Sequence, residues 1–354
     1  MVKKLLIVTQ KVDKNDPVLG FFHTWLLEFA KQVSQITVIA LSVGAHDLPK
    51  NVRVISLGKE KGQSRVFRTV TFLKLIVALE KEYDSVFVHM NPEYVALAGL
   101  IWRGMGKKVA LWYTHRNVDL KLRLAVMFCH VVFTASPEGC RVKSKKVKVV
   151  GHGIDVPLFS LAIREKLVGM NKTIHFAHFG RLTTIKNCDT IIEAFALLKQ
   201  KVKDDVVLSF VGGPATDGDK TYEAMLVSLV KERGLTDQVT FVGNVSHSQL
   251  PAFLSTVDVT INATPTGGLD KVVLESMAAG VPVITSNTSF SPIFKELASQ
   301  LIFKERDPKD LAFKVNVLLL NSDLSSVGDN LKKIASHLDI PGLIERVLGE
   351  LKVK

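Results

Sequence analysis

The stretch PTGGLDKVVLESMAAGVPVITS, Pro265 to Ser286, spells out a glycine turn, a helix and a strand. Gly267 and Gly268 stand just before the helix, and Ala278-Ala279-Gly280 end it. Val281 to Thr285 reads as a short buried strand, apolar and rich in β-branched residues. A glycine turn that opens a helix leaves backbone N–H groups free and turns the positive end of the helix dipole toward the loop. That arrangement suits a phosphate. One carboxylate, Glu275, falls in the middle of the helix, and another, Asp270, falls at its start.

The same alternation runs outward in both directions. Strands are expected at Leu5–Thr9, Gln35–Leu41, Val52–Ser56, Ser85–His89, Val109–Tyr113, Val131–Ala135 and Val147–Val149. A second series follows at Thr173–Phe179, Val206–Gly212, Val239–Val242, Val259–Asn262 and Pro282–Thr285. Helical periodicity fills most gaps, for example at Phe21–Gln32, Arg65–Lys81, Cys188–Lys201, Asp270–Ala279 and Phe290–Ala298. Strands alternating with helices imply parallel sheets covered on both faces, with ligand at the carboxyl ends of the strands. The chain has 354 residues, more than one core usually supports, which points to two α/β domains. The expected division is 1–160, then 170–335, then a final amphipathic helix in 336–354 packing back on the first domain.

Composition narrows the class. Apolar residues make up 47% and charged residues 23%, ordinary for a globular enzyme. Leu5 to Val8 is too short for a signal-peptide core and reads as a first strand. Cys129, Cys140 and Cys188 show neither disulfide nor metal spacing, so a reducing, cytoplasmic setting is expected. The net charge of +12 is uneven. Residues 1–160 hold 24 Lys and Arg against 12 Asp and Glu, while 161–354 hold 22 of each, so the whole excess lies in the first half. An anionic partner for that half is one reading and a merely soluble basic surface is the other. An anionic membrane surface fits better than nucleic acid, because nucleic-acid recognition motifs are absent. In Ser64–Lys81, Arg65, Arg68, Lys74 and Lys81 alternate with apolar residues. That segment could dock on such a surface or be buried against the first sheet.

Several strand ends carry groups suited to a diphosphate. In FGRLTTIKN, Arg181 and Lys186 follow Gly180: one a planar fork, the other a point charge. Gly212 and Gly213 close the next strand, where glycine permits close approach by a ligand. The Val242–Val245 loop, with Val242 and Asn244, could present backbone groups to a nucleobase. Asp217-Gly-Asp219 is the one Asp-x-Asp in the chain and lies past a strand end, in what reads as a solvated turn.

Taken as a set, GRLTTIKN, FVGGP, FVGNVSHSQLPAFLSTVDV and GGLDKVVLESMAAGVPVITS resemble the donor-binding domain of retaining glycosyltransferases of family 4. That resemblance implies the GT-B fold: two Rossmann-like doubly wound domains facing a cleft. It implies a nucleoside-diphosphate sugar as donor, retention of configuration, and no metal or other cofactor. A glycan acceptor, lipid-linked or of the cell envelope, would follow from membrane contact. By the same resemblance Arg181 and Lys186 clamp the diphosphate, Glu275 binds the ribose, and Gly268 and Leu269 offer backbone amides. His115, after the fifth strand, faces the transferred sugar, and Gly20 lets the first loop approach the donor or acceptor. The pattern departs in one place. Its first glutamate falls at Gly267, and its usual glycine falls at Asp270. Asp270 then either supplies a carboxylate to the sugar or caps the helix. A sugar-nucleotide epimerase and a nucleotide-sugar binding protein without activity are the competing readings.

Overall fold

A computed structural model describes residues 4–16, 18–115, 117–162, 173–199, 205–321 and 323–351. The chain divides into two compact units, one formed by 1–153 with 340–354 and the other by 154–339.

The first unit is a seven-stranded parallel sheet. Its strands are β1 (Lys4–Val12), β2 (Gln35–Val43), β3 (Val52–Ser56), β4 (Ser85–His89), β5 (Lys108–Trp112), β6 (Val131–Thr134) and β7 (Val147–Val149). They lie in the order β3-β2-β1-β4-β5-β6-β7. The strand cores are buried on both faces, which is why they read as apolar runs rather than as alternation. Helices α2 (Arg65–Ala78), α3 (Pro92–Gly104) and α4 (Leu120–Phe128) share one core with Leu6, Val8, Val86 and Leu111. Helix α1 (Phe21–Gln32) sends Phe29 against Phe87, the strand residue of opposite direction, at 5.3 Å between ring centroids. The chain returns to this unit as α14 (Ile340–Leu351), which packs on α1 through its buried Leu343, Ile344 and Val347. The Ser85 hydroxyl in β4 donates to the Leu351 carbonyl at 3.0 Å.

The second unit is a five-stranded parallel sheet of β8 (Ile174–Phe179), β9 (Val206–Val211), β10 (Val239–Gly243), β11 (Val259–Asn262) and β12 (Val283–Thr285). Their order is β10-β9-β8-β11-β12. The helices are α5 (Val156–Ser160), α6 (Cys188–Lys199), α7 (Asp217–Glu232), α8 (Leu250–Leu254), α9 (Lys271–Ala278), α10 (Ser291–Phe294), α11 (Ala298–Leu301), α12 (Pro308–Asn321) and α13 (Leu324–Ala335). Helix α6 packs with α7 and α12, and α9 packs with α5 and α13. The chain steps outward from β8 through β9 to β10, then returns to the other side of β8 as β11. The direction of winding reverses between β8 and β11, where loops diverge and ligands bind in sheets of this kind.

Three expectations change in detail. Residues 154–160 belong to the second unit, because Ile154 and Phe159 join its core. The helix expected over Phe290–Ala298 is broken into α10, a single tight turn and α11; Lys295, at φ 53°, interrupts it. Helix α2 buries only Phe72 and Ile76 fully, and leaves Val66, Phe67, Val70 and Val77 exposed. The end expected for α6 near Lys201 lies outside the described residues.

Candidate active site

The carboxyl edge of the second sheet is built from three loops that share backbone hydrogen bonds. Gly180 donates to the Val211 carbonyl at 2.9 Å, Leu182 to Gly213 at 3.2 Å, and Gly212 to Gly243 at 2.8 Å. The approach is so close that a side chain at Gly212 would collide with the Gly180 carbonyl, and its φ of 133° is one that L residues rarely adopt. The Asn244 amide lies 3.3 Å from where a side chain on Gly213 would begin, so these two predicted residues adjoin. Val242 is exposed on β10. Arg181 follows Gly180, with its side chain in solvent.

Lys186 and Asp270 meet at the point where the winding reverses. The Lys186 ammonium donates to both carboxylate oxygens of Asp270, at 3.0 Å each, and both side chains are largely shielded. The Asn262 side-chain amide, at the end of β11, donates to the same carboxylate at 2.9 Å. Beside them Asn187 donates to the Ala263 carbonyl at 2.9 Å, tying the β8 loop to the β11 loop again. Burial favours the neutral acid, but the Lys186 charge, the neighbouring Thr264 hydroxyl and the Asn262 amide outweigh it. The Asp270 carboxyl is therefore held below its usual range. Asp270 occupies the N-cap position of α9, yet its side chain makes no capping bond. It pairs with the lysine instead, so of the two roles the sequence left open it does not fill that of the helix cap.

The loop before α9 is pinned from beneath by polar residues after β12. The Asn287 side chain accepts from the Gly267 N–H at 3.4 Å and donates to the Gly268 carbonyl at 2.9 Å. The Ser289 hydroxyl donates to the Gly267 carbonyl at 2.8 Å. The Gly268 and Leu269 N–H groups enter none of these bonds and stand at the start of α9, the positive end of its dipole. Nothing crowds Gly267: a Cβ there would meet only the Pro265 carbonyl oxygen, at 3.7 Å.

Glu275 is buried in α9, and its Oε1 lies 3.0 Å from His247 Nε2. His247 opens a single helical turn after β10 and also packs edge-on against Phe159, at 5.4 Å. Sequence reasoning passed over His247 inside the quoted FVGNVSHSQLPAFLSTVDV; its signal would have been a histidine in a loop known to face α9. It also passed over Lys271 and His178. Burial drives the Lys271 ammonium well below its usual range, with Glu275 opposing. His178, fully buried in β8, is kept neutral, at a pKa of about 4, by burial and then by the Lys186 charge. Its Nδ1 pairs with the Ile261 carbonyl at 3.0 Å and its Nε2 has no partner. The Nε2 lies 3.5 Å from where a Gly180 side chain would start, and the Lys186 stem lies 3.7 Å from the same point.

The structure thus brings Arg181, Lys186, Gly213, Val242, Asn244, Gly267, Gly268, Leu269, Asp270 and Glu275 to one sheet edge. Gly20 and His115 belong to the other unit. Gly20 precedes α1, where a side chain would press within 2.6 Å of the Asp16 carbonyl oxygen, so its own loop requires the glycine. His115 is exposed after β5, with its Nδ1 accepting from the Asn117 N–H at 3.1 Å. His89 is a core residue: it is 1% exposed and stacks on Phe22 at 4.1 Å. Asp217 and Asp219 begin α7, where Asp219 accepts from the Ala215 and Thr216 N–H groups and completes a capping box with Thr216.

Known proteins share the sequence pattern of the second half and the fold. The family model "Glycosyl transferases group 1" matches residues 161–334. The lipopolysaccharide core biosynthesis mannosyltransferase LpsB of Rhizobium meliloti is 24% identical over 56% of this chain and 64% of its own length. A GDP-mannose-dependent phosphatidylinositol monomannoside mannosyltransferase of Mycobacterium tuberculosis is 31% identical over 41% of this chain and 38% of its own. The chain therefore spans less than two thirds of the length of these curated relatives. The structure of Anabaena Alr3699/HepE in complex with UDP superposes with a TM-score of 0.77 at 17% identity, over 98% of each chain. The fold is that of the GT-B glycosyltransferases, and residues 161–334 match the glycosyl transferases group 1 model.

Proposed function

We propose that the protein is a retaining glycosyltransferase of family 4 that moves a sugar from a nucleoside-diphosphate sugar to a glycan acceptor. The observation that carries this reading is the convergence, where the sheet winding reverses, of two cations, a glycine loop with free N–H groups, and a buried carboxylate. Glycosidic bond cleavage leaves negative charge on the diphosphate. Arg181, Lys186 and the start of α9 are placed to receive it, and such fixed charge is usually the largest catalytic term. The free N–H groups of Gly268 and Leu269 supply oriented dipoles at the same end. Glu275, steadied by His247, holds the ribose hydroxyls. Arg181 stays in solvent until ligand arrives, whereas Lys186 is positioned beforehand. In this reading the acceptor attacks on the face the diphosphate leaves, and the leaving phosphate takes its proton. His115 is assigned to the transferred sugar, and no metal takes part.

The acceptor is proposed to be lipid-linked. The relatives named above act on a lipopolysaccharide core and on a phosphatidylinositol mannoside. The first unit, moreover, presents an apolar and basic helical face suited to a peripheral position on an anionic membrane.

The test is a panel of UDP-, GDP-, ADP- and dTDP-sugars, measured for binding and slow hydrolysis with the full chain. One donor should bind and release its sugar. If none binds, the donor site is wrongly assigned; if one binds and is never turned over with any acceptor, the protein is a binding protein.

A further inference from the structure

The acid at position 270 sits where an anionic ligand would be expected to find only positive charge. We infer that Asp270 is a positioning residue that deliberately weakens the diphosphate site and so favours release of the nucleoside diphosphate product. This rests on the donor-site reading above and goes beyond it. The argument begins with the lysine. An ammonium has three N–H donors, and two of those on Lys186 are taken by Asp270. One remains for a phosphate oxygen. Asp270 itself is fixed, with Lys186 across one edge of the carboxylate and the Asn262 amide on Oδ2. It cannot swing away when an anion arrives without breaking these contacts. The local sum is then Arg181 and Lys186 against Asp270, a net +1 where two cations alone would give +2.

Glu275 lies in the middle of α9, where its Oε1 is engaged by His247 in the single turn after β10. His178, the other titratable group beside Lys186, is neutral. A fixed negative charge repels a more highly charged ligand more strongly. A sugar ester of a nucleoside diphosphate carries about two negative charges at neutral pH, and the free nucleoside diphosphate carries about three, because its terminal phosphate ionises a second time near pH 6. Asp270 therefore penalises product more than donor. The geometry also excludes the simpler role of helix cap. Asp270 makes no capping bond to α9, so the helix does not need it, and its oxygens are directed at Lys186 and Asn262.

The experiment is calorimetric binding of UDP, GDP, ADP and dTDP, and of the matching sugar nucleotides, to the full-length protein and to Asp270→Asn, Asp270→Gly, Lys186→Ala and Asp270→Asn/Lys186→Ala. Removing the negative charge should tighten the bound nucleoside diphosphate about tenfold, and its sugar ester by less. The gain should persist or grow in the Lys186→Ala background, where the carboxylate is no longer offset by the ammonium. In turnover, donor KM and kcat should fall together. A merely structural pair would do the reverse, since freeing the loops would weaken binding. Two neutral variants are included so that one folded protein suffices. If a nucleotide binds the wild-type protein and neither neutral variant binds it more tightly, the inference is overturned while the donor site stands. If no nucleotide binds the wild-type protein, the donor-site reading falls and takes the inference with it.

Discussion

Glu275 has only one oxygen left for a ligand. Its Oε1 is engaged by His247 at 3.0 Å and the side chain is buried, so the remaining oxygen is held in a fixed direction. A pre-oriented carboxylate loses little freedom when it accepts hydrogen bonds from a pair of hydroxyls. Glu275→Ala should weaken nucleotide binding about tenfold to a hundredfold, the range for a hydrogen bond to a charged group. His247→Ala should cost only several-fold, because it loosens the carboxylate without removing it. Isothermal titration with the nucleotide that binds best decides this; equal losses would mean that the histidine contacts the ligand itself. Position 267 raises a related point. The missing glutamate is not missing for lack of room, since a Cβ there meets nothing closer than 3.7 Å. A carboxylate lies three residues later, at Asp270, where it pairs with Lys186.

At the scale of elements, the three glycine loops act as one piece. Gly212 is where they touch most closely, and alanine there would meet the Gly180 carbonyl while adopting an unfavourable φ. Gly212→Ala should destabilise the second unit by about 2–4 kcal/mol in chemical denaturation and should also displace Arg181. A variant with unchanged stability and unchanged nucleotide affinity would show that the loops move independently. The strands and most helices of this sheet are legible in the sequence because buried parallel strands are short apolar runs and their helices are amphipathic. Between the helix expected at Phe290–Ala298 and the final helix, however, the reading passes over α12 and α13. Their signal is present: Val327, Leu331 and Ala335 recur every four residues and are all buried. Individual site residues are legible from loop chemistry. Their partners are not. Lys186 and Asp270 lie 84 residues apart, and Glu275 and His247 lie 28 apart. Such pairs depend on strand order, which no local pattern encodes.

Across the whole molecule, charge and exposed apolar surface are unevenly distributed. Helices α2, α3 and α4 form one layer over the first sheet and expose Val66, Phe67, Val70, Leu97, Leu100 and Met127. The same helices carry Arg65, Arg68, Lys74, Arg103, Lys121 and Arg123 against one acid, Glu93. Burial of α2 against the sheet and docking of its outer face are therefore compatible, because different residues serve each. Each basic residue near an anionic bilayer contributes about 1 kcal/mol. Co-sedimentation with phosphatidylglycerol-rich vesicles should be strong at low salt, fall as salt rises, and weaken in Phe67→Ser/Leu100→Ser. Absence of binding at low salt would remove the membrane from the account.

Helix α14 has a consequence for the order of events during synthesis. The second unit is one continuous segment, 154–339, and every residue of its core has been made before α14 emerges. The first unit starts earlier but finishes last, since it waits for Leu343, Ile344 and Val347, and for the Leu351 carbonyl that Ser85 reaches. Domains commonly fold in the order in which they leave the ribosome. Here that order is inverted: the second unit is complete while the unit that precedes it still lacks a wall of its core.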